Sequence, residues 1–350
     1  MGNPAKPTIY EVAKEAGVSR QTVSRVINNR PDVAGETRQR VLEIIDKLEF
    51  RPSAIARSLS QRRSYNFGVL TAGLKYFGPS TTLSGITGMS EELGYGLLLK
   101  ELSSYNTTTI KPILAWFLDH QVDGIIWAAP QVGSNRDWIK DAIDEIRVPI
   151  IFLTTENRDD ISIVTIDNYC GGRMATEHLL SLGRKQIGHI TGTLDWWESR
   201  QRQQGWQDAL IGAGIKPEPH MSAIGNWSPK SGKIAFNQLL SSFPQMNAIF
   251  VGNDQMALSV LQTAFEVGIR VPDQLAVVGF DDIPEAEFFC PSLTTIFQNQ
   301  HELGSIAVQA LARHVEEWKL NNNKVEPSYL ALQPELIIRK STIPSNGGRR

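Results

Sequence analysis

The chain has 350 residues, 41% hydrophobic and 21% charged, a mix that suits a globular protein of more than one domain. Two cysteines far apart exclude a disulfide framework and a zinc site. No run of about 18 apolar residues suits a membrane span, and the N-terminus lacks the apolar core of a secretory signal, so a cytoplasmic protein is expected. The net charge of -2 hides an asymmetry: residues 1–63 carry net +5 and the remainder net -7, so the head is suited to a polyanion.

Residues 8–50 place apolar side chains at helical spacing: Ile9, Val12, Ala13 and Ala16, then Val23, Val26 and Ile27, then Val41, Ile44, Ile45 and Leu48. Gly17 is expected to end the first helix and Ser19 to cap the second, with Gly35-Glu36-Thr37 opening a third. Small Ala13 and permissive Gly17 allow the tight corner of a helix-turn-helix. Burying Val23, Val26 and Ile27 turns Arg20, Gln21, Ser24 and Arg25 outward. Arg and Gln match guanine and adenine edges in the major groove, and Thr8, Ser19, Thr22 and Asn28 suit phosphate oxygens. The bland alternative is a helical hairpin with a solvated polar face. Pro52 breaks the pattern, residues 54–59 have the length of one or two turns, and Gln61-Arg62-Arg63-Ser64 is a basic joint where the domain boundary falls.

From Phe67 onward short apolar runs alternate with amphipathic stretches. The runs are Phe67–Thr71, Gly96–Leu99, Gly124–Ala128, Pro149–Leu153, Ser162–Ile166, Ile187–Thr191, Ala248–Val251, Leu275–Phe280 and Leu336–Ile338. They predict an α/β fold with parallel sheets covered by helices on both faces. Ligands of such folds sit at the carboxyl ends of the strands, where this chain has Asp167-Asn168, Gly252-Asn253-Asp254 and Gly279-Phe280-Asp281-Asp282. An enzyme is disfavoured. No G-x-G-x-x-G follows a strand, no His/Cys cluster has metal spacing, and no nucleophile elbow appears, so neither cofactor nor metal is expected.

In their order and spacing, Val12-Ala13, Ala16-Gly17-Val18-Ser19 and Thr22-Val23-Ser24-Arg25-Val26 resemble the lactose repressor/galactose repressor family of transcription regulators. The likeness continues through Thr37-Arg38, Phe50-Arg51-Pro52-Ser53-Ala54, Ala56-Arg57-Ser58-Leu59, Gly171-Gly172, Arg202–Trp206, Asn253–Ala257, Gly279–Asp282 and Pro291–Ile296. The resemblance implies an all-α helix-turn-helix head (1–52), a hinge helix and linker (53–64), a two-lobed periplasmic-binding-protein-like α/β sensor (65–342) and a disordered tail (343–350). It implies that Arg20 and Gln21 read bases with Arg25 close behind. It further implies that the hinge folds on operator, Ala56 included, with Leu59 as a wedge between base pairs in the minor groove. Two heads on a homodimer imply a pseudo-palindromic operator.

For the sensor, the resemblance implies a cleft binding a small molecule through Asp281, Asn253 and Arg202, with Trp227 stacking on a sugar ring. Tyr76 and Pro79 fall in the first cleft loop, and Trp196, Gln255 and Gln298 near the pocket, as do Glu198 and Gln300. Only one of Trp196 and Trp197 is expected to face it. Ala128 and Thr154 stand where the family's lactose-binding member has Asn and Asp, which argues against lactose itself. The implied function is a repressor released from its operator by a sugar or glycoside. The alternatives are a regulator corepressed by a purine-like effector and a transport-type sugar-binding protein. The leucine tail that makes tetramers in the family is not apparent, so a dimer is expected.

Overall fold

The computed structural model describes residues 7–27, 30–50, 63–103, 110–130, 132 and 146–343. The chain divides into two compact units, Met1–Tyr65 and Asn66–Arg350.

The first unit is built on three helices: α1 (Ile9–Ala16), α2 (Arg20–Ile27) and α3 (Gly35–Lys47). Glu11 reaches back to accept from the Thr8 backbone N–H at 2.6 Å, closing the start of α1. Gly17 ends α1 in the left-handed conformation (φ 65°), which a side chain would strain. Ser19 Oγ accepts from the Thr22 backbone N–H at 3.0 Å and starts α2. Val12, Ala13, Ala16, Val23, Val26 and Val41 then meet in one core with Phe50. The Lys47–Glu15 pair at 2.6 Å joins the ends of α3 and α1.

The second unit has two sheets and a ribbon. The first sheet is parallel, in the order β11-β5-β4-β3-β1-β2: Tyr329–Leu332, Ser162–Ile166, Ile150–Phe152, Gly124–Ala128, Asn66–Ala72 and Gly96–Leu102. The second is parallel, β7-β6-β8-β9: Ser222–Ile224, Ile187–Thr191, Ala248–Val251 and Ala276–Val278. An antiparallel ribbon pairs β10 (Thr295–Phe297) with β12 (Glu335–Ile337). Both sheets are covered on two faces. Along β1, Phe67 and Val69 pack on one side with Leu303 and Leu311, while Leu70 and Ala72 pack on the other with Phe117 and Trp127. In the second sheet Ile249 and Val251 face one core, and Ala248 and Phe250 face the other.

The chain passes between these lobes three times: after Ile166, between Phe297 and Gln300, and between Leu332 and Glu335. Each sequence-predicted strand from Phe67 to Ile338 is present, most of them trimmed or extended by a few residues. Three short strands give no run in the sequence: Ser222–Ile224, Thr295–Phe297 and Tyr329–Leu332. The hinge, with Ala56 and Leu59, lies outside the described residues, as do Asn28 and the tail from residue 344. Among the described residues no helix is long and apolar enough to cross a membrane, and no group of three His, Cys, Asp or Glu could hold a metal ion.

Candidate functional site

Two regions qualify. The first is the outer face of α2. Arg20 and Gln21 are exposed at its start, while Val23 and Val26 are buried beneath. Ser19 and Thr22 are bonded to each other, Oγ to Oγ1 at 2.9 Å, so both help cap the helix besides facing outward. Thr8 likewise serves the start of α1. Arg25 is exposed but engaged by Asp32 at 3.4 Å, a pair weak enough in water to be exchanged for another anion. Ser24 is half-buried.

The second region is a cleft between the two lobes, with about 900 Å³ of space that includes open solvent. Its polar centre is Arg202, in the helix Trp197–Gly212, which is 6% exposed. Two glycines hold it there. A Cβ at Gly172 would overlap the Arg202 carbonyl, and one at Gly205 would overlap the Tyr169 carbonyl, so the helices Asn168–Ser181 and Trp197–Gly212 approach backbone to backbone. Arg202 Nε donates to Asn168 Oδ1 at 2.8 Å, and Nη1 donates to the Gly252 carbonyl at 2.6 Å. Nη1 also stands 3.8 Å from Asp281 Oδ1, and the guanidinium lies 3.7 Å from the Phe280 ring centroid.

Asp281 follows the second lobe's last strand with φ 113°, a conformation few side chains adopt. Gln298, on the second lobe crossing, donates to its Oδ1 at 2.6 Å. Burial pushes its carboxyl up to about 6, with Arg202 and Gln298 pulling the other way. Behind it, buried Asp254 accepts from Thr295 Oγ1 at 2.6 Å and from the Ile283 backbone N–H at 3.0 Å, which fixes the Asp281 loop. Burial holds Asp254 well above the carboxylate range.

The aromatic wall is Tyr76, Phe77, Trp196 and Trp227. The Trp196 and Trp227 rings lie 5.6 Å apart. Gly192 leaves room for the indole of Trp227, since any Cβ there would overlap it. Trp227 itself takes φ 72°. Of the nine described non-glycine residues with positive φ, three, Thr154, Trp227 and Asp281, line the cleft. Three of its buried polar atoms lack a protein partner: Thr154 Oγ1, Glu198 Oε2 and Trp227 Nε1. Buried polar groups are rarely left so, and a bound molecule would satisfy them.

Residues 8–53 match the model described as "Bacterial regulatory proteins, lacI family", and residues 176–342 match "Periplasmic binding protein-like domain". The chain is 33% identical to the HTH-type transcriptional repressor PurR of Mannheimia succiniciproducens, across 95% of this chain and 98% of that one. The chain belongs to the LacI family of bacterial regulatory proteins. Among solved structures it is similar to the Lac repressor dimer bound to operator and the anti-inducer ONPF (TM-score 0.83, 31% identity, 96% of this chain and 99% of that one). It is also similar to the complex of the transcriptional regulator CelR with cellobiose (TM-score 0.70, 29% identity, 96% and 99%). As a LacI-family protein it is a DNA-binding transcriptional repressor with a helical head and a periplasmic-binding-protein-like body. Its relatives are repressors, not enzymes.

In this repressor the structure gathers Tyr76, Pro79, Trp196, Arg202, Trp227, Asn253, Gln255, Asp281 and Gln298 around one cleft, with Glu198 and Gln300. Trp196 lines it and Trp197 does not; Arg200 stacks over Trp197 at 5.5 Å. Asn253 serves the protein itself at both ends of its amide. Its Oδ1 accepts from the Met256 N–H at 3.0 Å and caps a helix, while Nδ2 donates to the Trp227 carbonyl at 3.1 Å. It therefore sets the Trp227 backbone and has one N–H left for a ligand. Sequence reasoning placed Asn168 at a strand end without naming it as an effector contact, and missed Thr82, whose Oγ1 donates to Gln300 at 2.8 Å. Asn168 has a signal, a polar residue directly after a strand; Thr82 lies inside a helix and has none.

Proposed function

We propose that this LacI-family protein is a homodimeric cytoplasmic repressor that holds a pseudo-palindromic operator until a sugar or glycoside binds its cleft. The observation that carries the reading is the cleft wall. Aromatic faces of Tyr76, Trp196 and Trp227 stand beside Arg202, Asp281 and Gln298, and three buried polar atoms lack partners. Sugars present apolar ring faces that stack on indole, and hydroxyls that both donate and accept. The likeness to a regulator solved with cellobiose supports this ligand class.

In this reading Arg20 and Gln21 read bases, while Thr8, Ser19, Thr22, Ser24, Arg25 and Asn28 meet the backbone or flank the readers. Residues 53–64 form the hinge, with Ala56 and Leu59 in the minor groove. Asp281 accepts from adjacent sugar hydroxyls, and Trp227 stacks on the ring. The ligand must bind the low-affinity conformation better than the operator-bound one, and operator must weaken ligand binding in return. A purine-like corepressor is the second reading, favoured by the flat aromatic faces and the likeness to PurR.

The test is fluorescence anisotropy on a duplex selected by the protein from a randomised pool. Cellobiose and other neutral disaccharides are titrated in, then hypoxanthine and guanine. Release by a sugar is the expected result. Tighter DNA binding with a purine, and no response to any sugar, would overturn induction by sugar.

A further inference from the structure

Three charged side chains line the cleft among the described residues: Arg202, Asp281 and Glu198. Arg202 and Asp281 face each other, and Arg202 is also held by Asn168 and the Gly252 carbonyl. Glu198 is different. It lies in the first turn of the helix Trp197–Gly212, is 9% exposed, and its Oε2 is buried without a partner. The arginines nearest it in charge are both engaged elsewhere. Arg200 is held by Glu156 at 2.7 Å and by the Leu194 and Asp195 carbonyls at 3.0 and 2.9 Å. Arg202 is bound as described. Among the described residues the cleft thus carries one more acid than base, and that base spends Nε and Nη1 on Asn168 and the Gly252 carbonyl while facing Asp281.

We propose that Glu198 is the specificity-determining residue of the cleft: it accepts a hydroxyl of an uncharged polyhydroxylated effector and bars anionic ligands such as sugar phosphates and sugar acids. The proposal rests on the reading of the cleft as the effector site and narrows its ligand class. Two physical facts support it. A buried carboxylate oxygen without a partner, as Oε2 is here, costs free energy, and a donor in the cleft would relieve it. A phosphate or carboxylate placed beside it would meet like charge in a low-dielectric space where the one cation among the described lining residues, Arg202, already faces Asp281. Burial pushes Glu198 up to about 7, with a hydrogen bond from its own backbone N–H and then Arg202 and Arg200 pulling it down. A hydroxyl donor favours the ionised form, whereas an added anion would oppose it.

The experiment uses the full chain as wild type, Glu198→Gln and Trp227→Ala. Melting temperature is read alone and with cellobiose, other neutral disaccharides, their 6-phosphates, the matching uronic acids and two purine bases. Affinities follow from tryptophan fluorescence, or calorimetry where the indole is removed. The expected result is a neutral sugar that binds wild type roughly tenfold or more tightly than its phosphate. In Glu198→Gln, binding of the neutral sugar weakens and that gap narrows to about threefold. Without ligand, Glu198→Gln melts at or above wild type, because an unpaired buried charge has been removed. A wild type that takes phosphorylated sugars as tightly as neutral ones, a gap unchanged in Glu198→Gln, or a ligand-free Glu198→Gln that melts several degrees lower would each overturn the proposal. If sugar binding is indifferent to Trp227→Ala, the effector-site reading itself fails. If only a purine base binds, the sugar reading fails.

Discussion

The head and the cleft are built in opposite ways. In the head, packing and polar chemistry are divided between residues: Val12, Val23 and Val26 make the core, and Arg20 and Gln21 stand exposed outside it. In the cleft the same residues do both. Arg202 is buried, stacks on Phe280, tethers Asn168 and Gly252, and faces Asp281. It follows that variants of the exposed, non-capping residues Arg20 and Gln21 should change DNA binding without changing stability, whereas variants of Arg202 should change both ligand response and stability.

The largest effect is expected from Arg202→Ala. It leaves Asp281 buried with Gln298 but without its cation and strips a donor from the Gly252 carbonyl and Asn168, at a cost of about 3–5 kcal/mol. Urea unfolding should show it, together with loss of ligand response. A variant of wild-type stability would break the comparison.

Next comes a test within the second lobe. His189 is buried with Nδ1 2.8 Å from the Phe250 carbonyl, stacks on Phe250, and burial lowers it to about 4. It stays neutral in the fold but protonates in the unfolded chain below about 6.5. Its contribution is therefore complete above pH 6.5 and is lost as pH falls from 6.5 towards 4, about 3 kcal/mol at most. Glu198 and Asp281, both raised by burial, run the other way. The check is therefore unfolding of wild type against His189→Gln at each pH, with the gap narrowing as the medium becomes acid.

Smaller effects belong to the head. Gln21→Ala or Arg20→Ala should weaken operator binding by about 1–3 kcal/mol and relax base choice, with stability unchanged to within about 0.5 kcal/mol. Ser19→Ala removes the cap of α2 and should cost about 1 kcal/mol of head stability. Thermal melting and anisotropy together separate these outcomes.

The same contrast explains what could be read from the amino acids. Head features are local: a glycine at the corner, a serine cap and apolar positions at helical spacing meet within twenty residues. Residue pattern alone shows the cleft at strand ends, where Asn253 and Asp281 follow apolar runs; its other lining residues, such as Arg202 and Trp227, are legible only through the family resemblance. Tyr329–Leu332 escapes notice because it is an edge strand with half-exposed side chains, formed only by pairing with Ser162–Ile166 across more than 160 residues. Thr295–Phe297 is a three-residue strand paired with Glu335–Ile337. The unpartnered Glu198 Oε2 has no sequence signal either, since its isolation depends on where Arg200 and Arg202 spend their donors.

The most direct measurement of the coupling between head and cleft is the affinity of the active neutral sugar, taken with the protein free and again saturated with operator. Linkage requires operator to weaken sugar binding by the same factor by which sugar weakens operator binding. Equal sugar affinity on and off DNA would contradict a repressor controlled through this cleft.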